Sequence, residues 1–407
     1  MKVLIAGSLL LVAAMAAPVS AQTAAPTWTQ DVGPLLAKHC MNCHRPGEIA
    51  PMSLLTYEAA RPWARSIRNE VLARVMPPWP ADPAFGRFSN DRRLSDAEVN
   101  TIVSWVNAGA PKGPGTFAPP TFADGWLLGE PDLIVEMEQD YVVPAGGPDL
   151  NVEIPVPVRN LPHDIWVRAV EVRGNPTVVH HNVVYSVDEQ GARDATGRLA
   201  SFTPGKQYDL FNEPAGKLVK KGSTLVFSMH YHPNGTETRD RSKVGLFLAT
   251  RPISYQIHSR VVADPRLEIP PRDPNYLSTG EFTFAVDAEI TLFKPHMHWR
   301  GKDMKYVLRY PDGREETLLS VPKYDMNWQV SYELTEPKPV PKGSVLRVIS
   351  HFDNSADNPR NPDPNVKVLW GSDSRDEMME GWFDYRVRMP EVVMPPTLPK
   401  TSSQPRQ

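Results

Sequence analysis

The sequence predicts a multidomain chain, a small all-α domain followed by two antiparallel β-sandwich domains, and three observations carry that reading. Apolar residues recur at helical spacing between Trp28 and about Gly113. A turn-rich stretch follows, Gly113-Pro114-Gly115-Thr116 and then Pro119-Pro120. After Trp126 the chain becomes a series of short β-branched and aromatic runs bounded by Pro, Gly, Asn and Asp.

In the helical part, Val32-Gly33-Pro34-Leu35-Leu36 leads into a cysteine pair, and Tyr57-Glu58-Ala59-Ala60 leads into a run at 67–75. Ser95-Asp96-Ala97-Glu98 forms a capping box for 99–108, where Val99, Ile102, Val103 and Val106 share a face. The first set of β runs falls at 134–137, 152–158, 165–172, 178–187, 225–231 and 244–249. The second falls at 281–286, 289–293, 306–310, 317–321, 329–334, 345–352 and 366–370. A division near Asp273-Pro274-Asn275 gives domains at 27–113, 126–273 and 274–390, with no internal repeat and a disordered, Pro-rich tail over 391–407.

Met1-Lys2, the apolar run 3–17 and Val19-Ser20-Ala21 have the charged start, hydrophobic middle and small-residue end of a signal peptide, so residues 1–21 are expected to be cleaved after Ala21. The run is short for a bilayer span, which needs about 20 apolar residues. No later stretch is apolar enough, so the mature chain is expected to be soluble, without a membrane span. A net charge of −3 with scattered Lys and Arg argues against nucleic acid as a partner. The 43 prolines punctuate strand-like runs and read as loop chemistry.

The chain's 2 cysteines lie in one pentapeptide, Cys40-Met41-Asn42-Cys43-His44, so no disulfide is expected and both sulfurs are free for other chemistry. In a C-x-x-C-H motif the thiols add to the vinyl groups of haem and the His becomes the proximal iron ligand. The expectation is one covalent haem c, hence a cytochrome c domain over 27–113 and a periplasmic location. A redox dithiol or a zinc half-site is the alternative, though neither needs the adjacent His. For the second axial ligand Met76 is favoured over Met52, because Met76-Pro77-Pro78-Trp79-Pro80 makes a stiff loop suited to covering a haem face.

Of 11 histidines, several pair on predicted strands: His180-His181, then His230 with His232, then His296 with His298. In a strand i and i+2 share a face, so each H-x-H presents two imidazoles to one ion. His180 and His181 point oppositely in an ideal strand and meet one ion only if a bulge or strand end re-aims one. Neutral imidazole suits copper, zinc, iron and nickel alike. His351 reads as a core histidine or as a support near a metal, His39 as exposed, and His163 and His258 carry no signal.

With these segments in view, residues from about 126 to 387 resemble the copper type II, ascorbate-dependent monooxygenases, the family of peptidylglycine α-hydroxylating monooxygenase and dopamine β-monooxygenase. His180-His181 resembles the family's His-His pair, and Met229-His230-Tyr231-His232-Pro233 resembles the segment that supplies a third imidazole, from His230 and not His232. His296-Met297-His298 resembles the H-x-H of the second copper, and Asp376-Glu377-Met378 the segment whose Met completes it, with Met379 the adjacent competitor. The resemblance implies two jelly-roll-like sandwiches and two coppers, one for electron transfer at His180, His181 and His230, one for oxygen binding at His296, His298 and Met378. A thioether favours Cu(I) and offers little to zinc.

Two departures stand out. Animal members have disulfides, whereas this region has no cysteine. Where the peptide-amidating enzyme holds a glycine carboxylate with Arg, Asn and Tyr, the aligned positions are Lys294, Glu380 and Trp382; Glu380 would repel a carboxylate, so peptide amidation is not expected. The functional expectation is a monooxygenase that hydroxylates a C–H bond of a small-molecule substrate with dioxygen. Haem electrons would reach the His180/His181/His230 copper, replacing or relaying for an external donor, ascorbate or a periplasmic redox protein. A non-catalytic haem/copper electron-transfer protein, or a copper oxidoreductase passing electrons outward to the haem, stays open on sequence alone.

Overall fold

The structure, a computed structural model, describes residues 25–48, 50–122, 125–203 and 206–396, so the expected signal peptide lies outside the described residues. Among the described residues no helix is long and apolar enough to cross a membrane. Strand dominates, in several sheets.

Near the N-terminus the helices Gly33–His39, Tyr57–Ala60, Ala64–Leu72 and Asp96–Asn107 enclose a small core of Val32, Leu36, Ile67, Val71, Ile102 and Trp105. The capping box is formed as expected: the Glu98 amide donates to Ser95 Oγ at 3.2 Å, and the Ser95 amide donates to Glu98 Oε2 at 2.8 Å. This satisfies donors that a helix start otherwise leaves orphaned.

Residues 79–90 depart from the expected domain limits. Trp79, Ala81 and Phe88 belong to the core of the second β region, where Trp79 and Phe88 pack edge-on against Tyr332 with ring centroids 4.9 Å and 5.5 Å away. Backbone bonds hold this arm down, Ser89 to Glu333 at 2.8 Å and Thr335 to Arg87 at 2.9 Å. Helical periodicity gave no warning, because the arm is not helical.

In the first β region a four-stranded sheet of Leu150–Pro157, Thr224–Tyr231, Val179–Val187 and Arg193–Phe202 shares one core with Leu133–Glu136, Lys243–Leu248, Ile165–Arg173 and Ala215–Val219. In the second, Tyr276–Thr283, Val345–Phe352, Gly301–Arg309 and Glu315–Val321 share a core with Ile253–Ala263, Glu380–Val393, Ala288–His296 and Tyr332–Val340. Two sheet pairs, each around its own core, are consistent with two β-sandwiches. They are joined through one continuous nine-stranded sheet by a short parallel pairing, Tyr255 with Ala215 and Gln256 with Gly216.

Two expected limits shift. Ile253–Ala263 lies before the expected division at residue 273, yet it pairs along Glu380–Val393, so hydrogen bonding moves the changeover to about Ile253. The expected disordered tail begins too early: Glu391 to Val393 are strand, with Val393 paired to Ile253, while residues 397–407 lie outside the described ones.

Since Trp79 is 6% exposed and fills the second core, Trp79→Ala should destabilise that core by about 3–5 kcal/mol. Denaturant unfolding followed by intrinsic fluorescence checks this. A loss below about 1 kcal/mol would mean the arm only lies on the surface.

Candidate metal centre

Strand alternation builds two walls that face each other. In Thr224–Tyr231, Phe227 and Met229 point into the first core, so Ser228 and His230 point out. In Val179–Val187, Val184 points in while His181 and Val183 point out. Opposite them, Phe293 and Phe383 enter the second core. Lys294 pairs with Trp382 and His296 with Glu380 across the sheet, so all four side chains emerge on one outer face. Between the walls lies a cavity of about 350 Å³, lined by His181, His230, His296, His298, Met378 and Trp382 among others.

The first cluster depends on a break in register. Val179 pairs with Tyr231 and the next pair is His181 with His230, so His180 is the extra residue of a bulge. The bulge turns His180 to the same side as its neighbour, which resolves the objection that adjacent strand residues diverge. Nδ1 of His181 lies 3.4 Å from Nδ1 of His180 and 3.2 Å from Nδ1 of His230. A first-row ion takes imidazole nitrogens at about 2.0–2.1 Å, which puts neighbouring ligand nitrogens roughly 3.3–3.6 Å apart at tetrahedral or trigonal angles. These three are the metal-competent His/Cys/Asp/Glu group among the described residues, with all ligand atoms within 4.8 Å of one another.

Asp149, which the sequence did not single out, fixes the cluster's far edge. Its carboxylate accepts from His230 Nε2 at 2.9 Å and from His232 Nδ1 at 2.7 Å. His230 therefore carries its proton on Nε2 and turns the Nδ1 lone pair to its partners. His232 is exposed and outside the cluster. Burial, and then the neighbouring His230, lowers the His180 pKa to about 4 and His181 well below its ordinary value, keeping both rings neutral as ligation requires.

The second cluster has two imidazoles, with ring centroids 5.2 Å apart and planes at 90°. His296 Nδ1 donates to Gln329 Oε1 at 2.9 Å and His298 Nδ1 donates to the Asp376 carbonyl at 3.1 Å, leaving both Nε2 atoms as acceptors. Burial lowers both pKa values to about 4. Beyond the strand end, the buried Glu377 carboxylate accepts the backbone amides of His298 at 2.8 Å and Arg300 at 2.6 Å, which fixes the turn carrying His298. Met378 lines the cavity while Met379 is buried in the second core, so of the two neighbours only Met378 faces this space.

Lys294, Glu380 and Trp382 line the same cavity. Glu380 Oε2 accepts from Trp382 Nε1 at 2.8 Å, and burial raises the Glu380 pKa, favouring its uncharged form. Lys294 donates to Ser201 Oγ at 3.3 Å, its pKa lowered well below the ordinary value by burial and then by Arg198. His351 is elsewhere, on the four-stranded sheet of the second β region, with Asp303 at 2.8 Å.

A second cavity, about 210 Å³, is lined by Cys40, Cys43, His44 and Met76 together with Arg92 and Trp328. His44 Nδ1 donates to the Met52 carbonyl at 3.3 Å, leaving Nε2 free, while the Met52 side chain packs on the helical core. His39, expected to be exposed, lines this cavity, its ring 3.1 Å from Glu98. Next to it lies a space of about 400 Å³ that shares Cys43 and Arg92.

Neither a family model nor a curated protein matches the chain. Among solved structures, the major capsid protein P2 of bacteriophage PM2 overlaps with 8% identity, covering 63% of this chain and 97% of its own, at a TM-score of 0.29. The STIV MCP overlaps with 9% identity over 56% of this chain and 98% of its own, at a TM-score of 0.26. Overlaps this loose bear on neither family nor function.

If Asp149 orients His230, Asp149→Ala should weaken metal binding at the first cluster by roughly 10–100-fold without unfolding the chain. Copper titration of the purified variant reads this out, and an unchanged affinity would remove Asp149 from the site.

Proposed function

We propose that the chain is a copper-dependent monooxygenase, an oxidoreductase that hydroxylates a C–H bond of a small molecule with dioxygen, its electrons supplied through a covalently bound haem c. On this reading the two sheet pairs are jelly-roll-like β-sandwiches, and the N-terminal helices are a cytochrome c domain. The carrying observation is that His181 and His230 of the first cluster, His296 and His298 of the second, and Met378 all line one cavity.

The residues fit the groups. Nδ1 of His181 lies 3.4 Å from that of His180 and 3.2 Å from that of His230, close to the spacing of donors that share one ion. His296 and His298 have their Nδ1 atoms occupied and offer Nε2, and Met378, which lines the same cavity, would supply the soft donor. Cys40 and Cys43 would hold a haem covalently, and His44 and Met76 would hold its iron. At about 210 Å³ that cavity is below the roughly 300–1,000 Å³ usual for ligand sites, and it adjoins the space of about 400 Å³ at Cys43 and Arg92. Arg92, cationic and free of hydrogen bonds and ion pairs among the described residues, suits the haem carboxylates.

When bound, the coppers supply dioxygen activation and one-electron redox chemistry, and the haem iron a further one-electron store. The chain's own residues orient these groups and shape the substrate space. Asp149, Gln329 and the Asp376 carbonyl hold the imidazole tautomers. Lys294, Glu380 and Trp382 bound the space for substrate. Export to the periplasm, with ascorbate or a periplasmic redox protein as external donor, belongs to the same proposal.

Protein matured with haem attachment should carry one covalent haem and two coppers. His296→Ala should remove one of two Cu(II) paramagnetic resonance signals, and label from ¹⁸O₂ should enter the product of a turned-over substrate. Haem without copper would sink the oxygenase reading, and two coppers with no labelled product across a broad screen would favour an electron-transfer protein.

A further inference from the structure

We infer that Trp328 and Gln329 are the electron path from the haem cavity straight to the His296–His298 cluster, bypassing His180, His181 and His230. The inference rests on the metal assignments proposed above and reverses the order that the family resemblance implies.

Two consecutive residues face two different sites. Trp328 lines the cavity that holds Cys40, Cys43, His44 and Met76. Gln329 lines the cavity between the sandwiches and accepts from His296 Nδ1 at 2.9 Å. From the indole to the imidazole the connection runs through the Trp328 Cβ and Cα, the 328–329 peptide and the Gln329 side chain, about nine covalent bonds, and then one hydrogen bond. Electron tunnelling decays more slowly through covalent and hydrogen bonds than across an unbridged gap, so this connection outcompetes a path of equal length through space. Of the residues lining the haem cavity, none lies on the strands that carry His180, His181 or His230.

The segment is held in place. The Asp325 carbonyl accepts the Trp328 amide at 2.9 Å, and the Trp328 carbonyl accepts the Val330 amide at 2.9 Å. Arg360 donates to Asp325 Oδ2 at 2.7 Å, and the Tyr332 ring, three residues beyond Gln329, is clamped by Trp79 and Phe88. Gln329 is 8% exposed and its Nε2 has no partner among the described residues, so its bond to His296 alone sets the amide's orientation. The arm that runs on from Met76 thus packs on Tyr332, three residues beyond the Gln329 that touches His296.

The transfer is balanced without bond making. One electron leaves ferrous haem, which becomes ferric, and enters the cupric ion at His296 and His298, which becomes cuprous; no proton crosses. A one-electron donor, ascorbate or a redox protein, restores the ferrous haem.

The test uses holoprotein with the haem rapidly reduced under anaerobic conditions, following haem re-oxidation by absorbance and the loss of each Cu(II) resonance. Haem and copper contents are measured for every variant first. Re-oxidation should persist in His180→Ala, vanish in His296→Ala, and slow by about tenfold or more in Trp328→Leu and Gln329→Leu, with Trp328→Phe intermediate. Re-oxidation that survives His296→Ala and vanishes in His180→Ala overturns the route while leaving the monooxygenase reading intact. Unaltered rates in Trp328→Leu and Gln329→Leu, with full metal content, overturn it as well. Wild-type protein that takes up no copper instead overturns the reading on which the route depends.

Discussion

The register of Glu380–Val393 between Ile253–Ala263 and Ala288–His296 is the constraint on which the cavity depends. Side chains alternate along a strand, so a slip of one residue in Glu380–Val393 would turn Glu380 and Trp382 inward and push Phe383 out, and the same slip in Ala288–His296 would turn Lys294 and His296 in and Phe293 out. Core packing forbids that slip. Phe293 and Phe383 are fully buried, and a Cβ at Gly381 would stand 2.6 Å from Val348 of the facing sheet. Hydrophobic burial on one face therefore sets the chemistry on the other. The opposite wall obeys the same logic, and there the bulge at His180 gives up a ladder position to bring a third imidazole into reach.

The surfaces that meet around this cavity are polar where two sandwiches could have buried apolar faces. Arg198 pairs with Asp384 at 3.3 Å, Ser259 donates to Asp384 at 2.5 Å, and Lys217 donates to Ser259 at 2.9 Å, all of them buried. Burial lowers the Lys217 pKa to about 8. Such a layer contributes little net stability, yet removing one partner from a buried pair typically costs about 3–5 kcal/mol. It fixes the relative placement of the two walls without filling the gap between them.

Legibility in the sequence followed locality. The capping box at Ser95 and Glu98 and runs such as 165–172 and 345–352 were readable because their signals lie within a few residues. Arg193–Phe202 was missed, being a polar strand that turns Arg198 and Ser201 towards the other sandwich. Glu380–Val393 was missed although Phe383-Asp384-Tyr385-Arg386-Val387-Arg388-Met389 alternates strictly, so its strand signal was local and there to be read. Ile253–Ala263 alternates too, and its signal was there to be read as well. The runs expected at 281–286 and 329–334 are displaced, to Tyr276–Thr283 and Tyr332–Val340. The histidine pairs were legible as residue types at strand spacing. Asp149 and Gln329 were not, because each meets its histidine from a distant part of the chain and leaves no local pattern.

The arm over residues 79–90 gives the chain a temporal order. Ser89 bonds to a residue 244 positions later, so the aromatic pair Trp79 and Phe88 has nowhere to go until synthesis is past Tyr332. Contacts of such long sequence separation form late and leave sticky surface uncovered meanwhile. The N-terminal helices can fold early, but a fragment ending near residue 113 would carry an unpaired aromatic arm and tend to self-associate. Severing the chain at its obvious linker would therefore not yield two independent proteins.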